Sequence, residues 1–287
     1  MKKLFFLFIL ISRLSSAQIN NITCNNELKL LEYLAINKKS YESIILSKSL
    51  INSYGCDKLI DSINFFTGFA YYQLKNFDSA YIYFLKVNSP DTLYNKSRFF
   101  AALNLLYAGK IYEADTVLNT IKKTNGIINE MNVLYKAGIC LHQRDENCFN
   151  YNKKNFSYKY YQIANEEKKI DDLYNLNSSK SYKSPVKAAI FSAIVPGSGK
   201  LYCKKKGQAV TSFLTVAILS VISSENIIKR GWLHPVSLSG IAITGIFYIG
   251  NIYGSYYLAK TINKEFDEKI NQDILYYLHV ALRNVYY

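Results

Sequence analysis

The chain has 287 residues, a formal net charge of +14 and a pI near 9.3. Such a balance invites a nucleic-acid partner, but the lysines are scattered through Asn- and Tyr-rich segments and no concentrated basic arm exists. Spread positive charge of this kind favours solubility and attraction to anionic lipid headgroups, and no nucleic acid is expected as a partner.

The N-terminus reads as a targeting segment. Lys2 and Lys3 precede the unbroken apolar run Leu4 to Ile11, and Ser15-Ser16-Ala17 supplies the small residues of a signal-peptidase site. The run is too short to span a bilayer comfortably. Residues 1–17 are therefore expected to be a signal peptide cleaved after Ala17, with a short membrane anchor as the alternative. Export also argues against a nucleic-acid role.

Five cysteines follow, Cys24, Cys56, Cys140, Cys148 and Cys203, with no CxxC pair and no spacing to histidine that suggests zinc. In an oxidising compartment Cys24 can pair with Cys56 and Cys140 with Cys148. The alternative is that they are free and buried as small hydrophobes. Cys203 is left over, and no metal or cofactor is expected.

From about Glu27 to Ile170 apolar residues recur three or four apart, broken by short polar clusters such as Asn37-Lys38-Lys39 and Lys75-Asn76. Within Asn64 to Pro90, Gly68 and Tyr71 stand on one helix and Ala80 and Phe84 on the next, with Pro90 closing the unit. A small residue at Gly68 and another at Ala80 let two helices approach, and Tyr71 and Phe84 are expected to fill the wedge between them. Ala114 lies 34 residues after Ala80 and Leu118 34 after Phe84, while Ala102 and Leu105 repeat Gly68 and Tyr71. Weaker copies surround Tyr41-Glu42-Ser43 and the stretch with Gly138 and Leu141. This pattern resembles the tetratricopeptide repeat, although no tryptophan or Leu-Gly pair is present. The resemblance implies a helical-repeat solenoid over 18–174 that binds a peptide or protein ligand. An unrelated helical bundle is the alternative.

A polar linker, Asn175 to Ser184, precedes a sharp change of composition at Pro185. Apolar blocks then dominate: Val186 to Val195, Gln208 to Ser224, and Val236 to Ala259, the last with 24 residues and no charge. The second and third blocks are long enough to be transmembrane helices. The first, ended by Pro196-Gly197-Ser198-Gly199, is either a half-helix or part of a third span. Gly197-Ser198-Gly199-Lys200 is not a phosphate loop. Ile194 stands where that motif needs glycine, and Leu201 where it needs Ser or Thr.

Ser192 to Tyr202, Gly207, and Tyr248 to Gly254 look like an uncharacterised bacterial membrane domain. Its pattern runs near S-A-x-x-P-G-x-G-Q-x-Y, then two hydrophobic helices carrying G-N-x-x-G, as in small two-helix domains of the TM2 type. The motif positions are Pro196, Gly197, Gly199, Lys200 (in place of the usual glutamine), Tyr202, Gly207, Tyr248, Gly250, Asn251 and Gly254. The resemblance carries no activity.

Gly250 and Gly254 form a GxxxG face suited to close helix approach, and homo-oligomerisation through it is expected. Asn251 is a polar side chain inside a span, suited to hydrogen-bonded glue between helices or to lining a transport path. Lys204, Lys205 and Lys206 would be cytoplasmic if the first block spans, which leans the count towards three spans. The tail, 261–287, carries Ile262, Phe266, Ile270, Ile274, Leu278 and Leu282 on a four-residue rhythm, as in an amphipathic helix lying on the membrane or on the repeats.

The expected fold class is all-α: a tetratricopeptide-like helical-repeat solenoid, then a small α-helical membrane domain (185–260) of two or three spans. The expected function is a non-enzymatic, membrane-anchored scaffold of the bacterial cell envelope. It sits in the inner membrane with its repeats extracytoplasmic, and it contacts a protein or peptide and membrane lipid. A transport or envelope-assembly component with a polar path near Pro196–Gly199 and Asn251 is the alternative. A cysteine enzyme built on Cys140 or Cys148 with His142 lacks a third orienting group.

Overall fold

The structure, a computed structural model, describes residues 24–53, 56–88, 92–122 and 126–286. The expected signal segment, its cleavage site and Pro90 lie outside these residues. Every regular element among them is helical. The chain divides into two compact units, one ending at Tyr174 and joined by Asp273 onward, the other running from Asn175 to Gln272.

The first unit begins with four helix pairs: α1 (24–36) with α2 (Ser40–Ile51), α3 (Ile60–Gln73) with α4 (Phe77–Leu85), α5 (Thr92–Tyr107) with α6 (Ile111–Asn119), and α7 (Gly126–His142) with α8 (Glu146–Lys153). All four are closed by the same turn. Lys38, Lys75, Gly109 and Arg144 each adopt a left-handed backbone, with φ of 59°, 57°, 75° and 61°. The next amide reaches back five residues in every case: Lys39 to the Leu34 carbonyl (2.9 Å), Asn76 to Tyr71 (3.0 Å), Lys110 to Leu105 (2.8 Å) and Asp145 to Cys140 (2.9 Å). Together with the shorter bond inside each turn, this is the Schellman arrangement, which satisfies the carbonyls left over at a helix end. Asn76 and Asp145 then cap the following helix by accepting the amides of Ser79 (3.1 Å) and Cys148 (2.9 Å).

Counting from these turns sets the register. Gly68, Ala102 and Ala137 all lie seven residues before a turn residue, and Ser43, Ala80, Ala114 and Phe149 lie five after one. All seven are buried. The last step is 35 residues rather than 34, so Ala137, not the expected Gly138, is the counterpart of Gly68. A methyl on Gly68 would stand 3.0 Å from Phe84 Cδ1, which shows how closely α3 and α4 meet. Phe84 in turn stacks on Phe100 (5.1 Å) and meets Phe65 edge-on (5.6 Å). Tyr71 is half-buried and stacks across the pair on Tyr83 of α4, at 5.5 Å.

The buried Arg98 on α5 closes the end of α4, donating to the carbonyls of Phe84 (3.3 Å), Leu85 (3.0 Å) and Val87 (3.0 Å). A cation there also complements the negative end of the helix dipole. Beyond α8 the chain leaves helical geometry over 154–163 and re-enters it in α9 (Ala164–Ser178). The expected polar linker therefore starts as the last turn of α9, where nothing in Asn175–Ser178 breaks a helix.

In the second unit, Ser184 accepts the Lys187 amide (3.3 Å) and Pro185 opens α10 (Pro185–Ile194). Gly197 has φ of +85° and starts the short α11 (Ser198–Tyr202). α12 (Lys206–Arg230) and α13 (Pro235–Tyr286) are long and apolar enough to cross a membrane. Only 17% and 11% of their most apolar windows are buried, so most of that apolar surface is left uncovered. α10 by itself extends about 15 Å, half the hydrocarbon thickness, too short to span alone. No break separates the last apolar block from the tail, because no glycine or proline occurs after Gly254 and α13 continues to Tyr286.

Candidate functional site

Two places collect the residues that carry chemistry. The first is the face built by the leading helices of the pairs. Residues 274–286 of α13 lie on it with Ile274, Leu278, Ala281 and Leu282 buried. The Tyr135 hydroxyl donates to the Leu278 carbonyl (3.0 Å), and Asn284 donates to the Gln162 carbonyl (3.1 Å). The Tyr72 hydroxyl is hydrogen-bonded to His279 Nδ1. A methyl on Gly138 would be 3.0 Å from Leu278 Cδ1, so this glycine serves tail contact rather than pairing of α7 with α8. Beside the tail a cavity of about 540 Å³ remains, walled by Phe69, Phe100 and Leu282 and edged by Lys38, His279 and Arg283. Burial, with Arg283 nearby, holds the His279 imidazole below its usual range.

Behind that face a buried pair of carboxylates fixes the irregular segment. Glu130 accepts both the amide (2.9 Å) and the hydroxyl (2.6 Å) of Ser157, and Glu167 accepts the Tyr158 amide (3.1 Å). Burial, then the neighbouring Glu130, pushes the Glu167 carboxyl up to about 8. Neither carboxylate stands out in the sequence, where both read as ordinary helix-surface charges.

The cysteines settle into bonds. Cys24 joins Cys56 (Cα–Cα 5.7 Å) beside Leu31, Leu50 and Ile63, and Cys140 joins Cys148 (5.5 Å). Neither sulfur near His142 presents a thiolate. Cys203 is free and buried with Ala188 and Ala259. Among the described residues no group of His, Cys, Asp or Glu side chains is arranged to hold a metal ion.

The second place is the interior of the second unit, where the motif residues meet. Gly199 has no room for a side chain: a methyl would lie 1.9 Å from the Ala188 carbonyl oxygen, and one on Gly197 would lie 2.3 Å from that of Ala209. The Gly199 amide donates to Ser192 Oγ (3.0 Å), which pairs with Ser255 Oγ (2.7 Å). Ser255 also donates to the Asn251 carbonyl (2.9 Å), and Asn251 Nδ2 donates to the Ser192 carbonyl (3.4 Å). Tyr248 donates to the Ala193 carbonyl, and Tyr202 accepts the Ser184 amide (3.2 Å). The glycines that follow the break after α10 are thus packed against protein, although Ile194 and Val195 remain exposed. Ser192, which opens the motif, and Ser255, which no local pattern singles out, are the centre of this network.

A methyl on Gly207 or Gly250 would meet nothing within 4 Å, and one on Gly254 would be approached only by Lys200 at 3.9 Å. Among the described residues the Gly250–Gly254 face therefore makes no close helix contact. It borders instead a groove of about 410 Å³ between α12 and α13, floored by Lys200, Ser212 and Asn251 and walled by Val216, Ile246 and Phe247. No protein-family model, curated protein or solved structure matches the chain.

Proposed function

We propose that the protein is a non-enzymatic, membrane-anchored scaffold of the bacterial cell envelope, held in the inner membrane by α12 and α13. Its tetratricopeptide-like pairs, on the extracytoplasmic side, take an amphipathic helical segment of a protein partner. The observation that carries this reading is the seating of residues 274–286: the face already accepts an apolar helix edge, through Gly138, Tyr135 and Tyr72. The exposed apolar surface of α12 and α13 supports the anchor, since a water-facing protein rarely leaves such a surface uncovered. In the membrane unit, Ser192, Asn251 and Ser255 bond chiefly to one another, which favours structural glue over a transport path.

A labelled peptide spanning residues 270–287 tests the reading on the full-length protein in detergent. Fluorescence anisotropy should report tighter binding to the Leu278→Asp variant, whose own tail is loosened, than to the wild type. A scrambled peptide should bind neither. Failure of the native peptide to bind the variant would remove the helix-accepting face.

A further inference from the structure

Among the described residues, Lys200 is the only charged group lining the groove between α12 and α13. Its ammonium donates to Ser212 Oγ (2.5 Å), and no carboxylate among the described residues lies within ion-pair distance of it. An ammonium at such a site is costly without a negative partner, and one hydroxyl satisfies only one of its three donors. The Ser212 hydroxyl, having accepted from Lys200, still has its own proton to donate.

Ser212 lies six residues along α12 from Lys206, about 9 Å inside that end. The groove therefore opens near one end of the apolar helices, beside Lys204, Lys205 and Lys206. Above the polar floor the walls are apolar, with Ile246 and Phe247 exposed on one side and Val216 on the other. A ligand fitting both halves has a small anionic head and a hydrocarbon chain. Gly250, with open space where a side chain would stand, leaves room for that chain to pass close to α13.

We propose that this groove is a phospholipid site, in which Lys200 Nζ and the Ser212 hydroxyl hold the phosphate of an anionic lipid and an acyl chain runs along Ile246 and Phe247. The proposal rests on the membrane reading of α12 and α13. Basic pockets between membrane helices recognise headgroups through this combination of charge and shape. A zwitterionic lipid fits less well, because its ammonium would stand beside Lys200.

Native mass spectrometry of the full chain tests this, with dioleoyl phosphatidylglycerol, the matching phosphatidylcholine and inorganic phosphate as probes. Flotation with phosphatidylcholine vesicles separately tests membrane association. Wild type should retain one phosphatidylglycerol, and Lys200→Gln should lose that adduct about ten- to a hundredfold, as removal of one charge-assisted hydrogen bond implies. Ser212→Ala should weaken it in the same direction, and Lys200→Arg should restore it. Neutralising Lys204, Lys205 and Lys206 together should leave the single adduct in place. Equal retention by Lys200→Gln, equal retention of the two lipids, or displacement by millimolar phosphate would each overturn the site. Floating with vesicles while showing any of these results would overturn the lipid site alone. Failure to float would overturn the membrane reading beneath it.

Discussion

The contact between Gly138 and Leu278 is best tested by removing atoms from one side and adding them to the other. Leu278 is fully buried, so Leu278→Ala should weaken tail docking by about 2–5 kcal/mol. Gly138→Ala places a methyl 3.0 Å from Leu278 Cδ1 and 3.4 Å from Ile274 Cγ2. Overpacking of that kind costs about 1–3 kcal/mol, offset by about 1 kcal/mol from the better helix propensity of alanine, leaving about 0–2 kcal/mol. In the double variant the new methyl occupies part of the space vacated by the leucine. The combined loss should then fall short of the sum by about 1–2 kcal/mol, within the range found for residues in contact. Hydrogen exchange of the amides in 273–286, measured on the full chain in detergent, reads the opening free energy of this segment directly. Additivity within about 0.5 kcal/mol, the behaviour of residues that do not touch, would refute this packing.

Replacing Cys24 and Cys56 together by alanine should cost about 3–4 kcal/mol through the 32-residue separation they close, and replacing Cys140 and Cys148, only 8 apart, about 1 kcal/mol less. Melting curves of the two double variants should preserve that order, and a reversed order would contradict loop closure as the cause. Glu167 binds its proton more tightly when folded, with a value of about 8 against an ordinary 4.5. Its contribution to stability is therefore full below about pH 4.5 and is lost as pH rises towards 8. Glu167→Gln should melt higher than wild type at pH 8 and no higher at pH 4.5; a pH-independent difference would sink the assignment. Gly199→Ala forces the main chain of α10 to move, so it should cost more than about 3 kcal/mol and lower the yield of monodisperse protein. Gly250→Ala meets nothing within 4 Å among the described residues and should leave that yield unchanged, which size-exclusion chromatography would show.

Much of the helical framework is legible in the sequence because its signals are local. Gly68, Ala80, Phe84, Ala102, Ala114 and Leu118 are all buried, as a recurring step of small and large residues implies. The apolar blocks after Pro185 likewise mark α12 and α13 by length and composition alone. The shifted register at Ala137 is hidden because a single extra residue lies between the last two turns, so the 34-residue step from Ala102 falls on Lys136, and Gly138 offers a more conspicuous small residue nearby. The seat of the tail is also hidden: its four-residue rhythm suits any apolar surface and names none. Ser192 opens a recognisable motif but Ser255, 63 positions on, has no pattern of its own, so their pairing emerges only when α10 and α13 are brought together. Arg98 is similar, since an arginine on a helix reads as solvated until three carbonyls are found around it.

The four closing turns have a consequence for how this chain can vary. Each reversal is made by main-chain hydrogen bonds, so several side chains can stand at its centre; lysine, lysine, glycine and arginine all occupy it, and the arginine adds a bond of its own to the Leu141 carbonyl. A non-glycine residue in left-handed geometry costs about 1–2 kcal/mol, and a cation at the adjoining helix end returns about 0.3–1 kcal/mol of that. Three of the four turns thus sit slightly uphill, and the tandem pairs hold a margin of stability that glycine at the exposed Lys38 or Lys75 would release, whereas at Arg144 the same change would also remove the guanidinium's bond to the Leu141 carbonyl (2.8 Å).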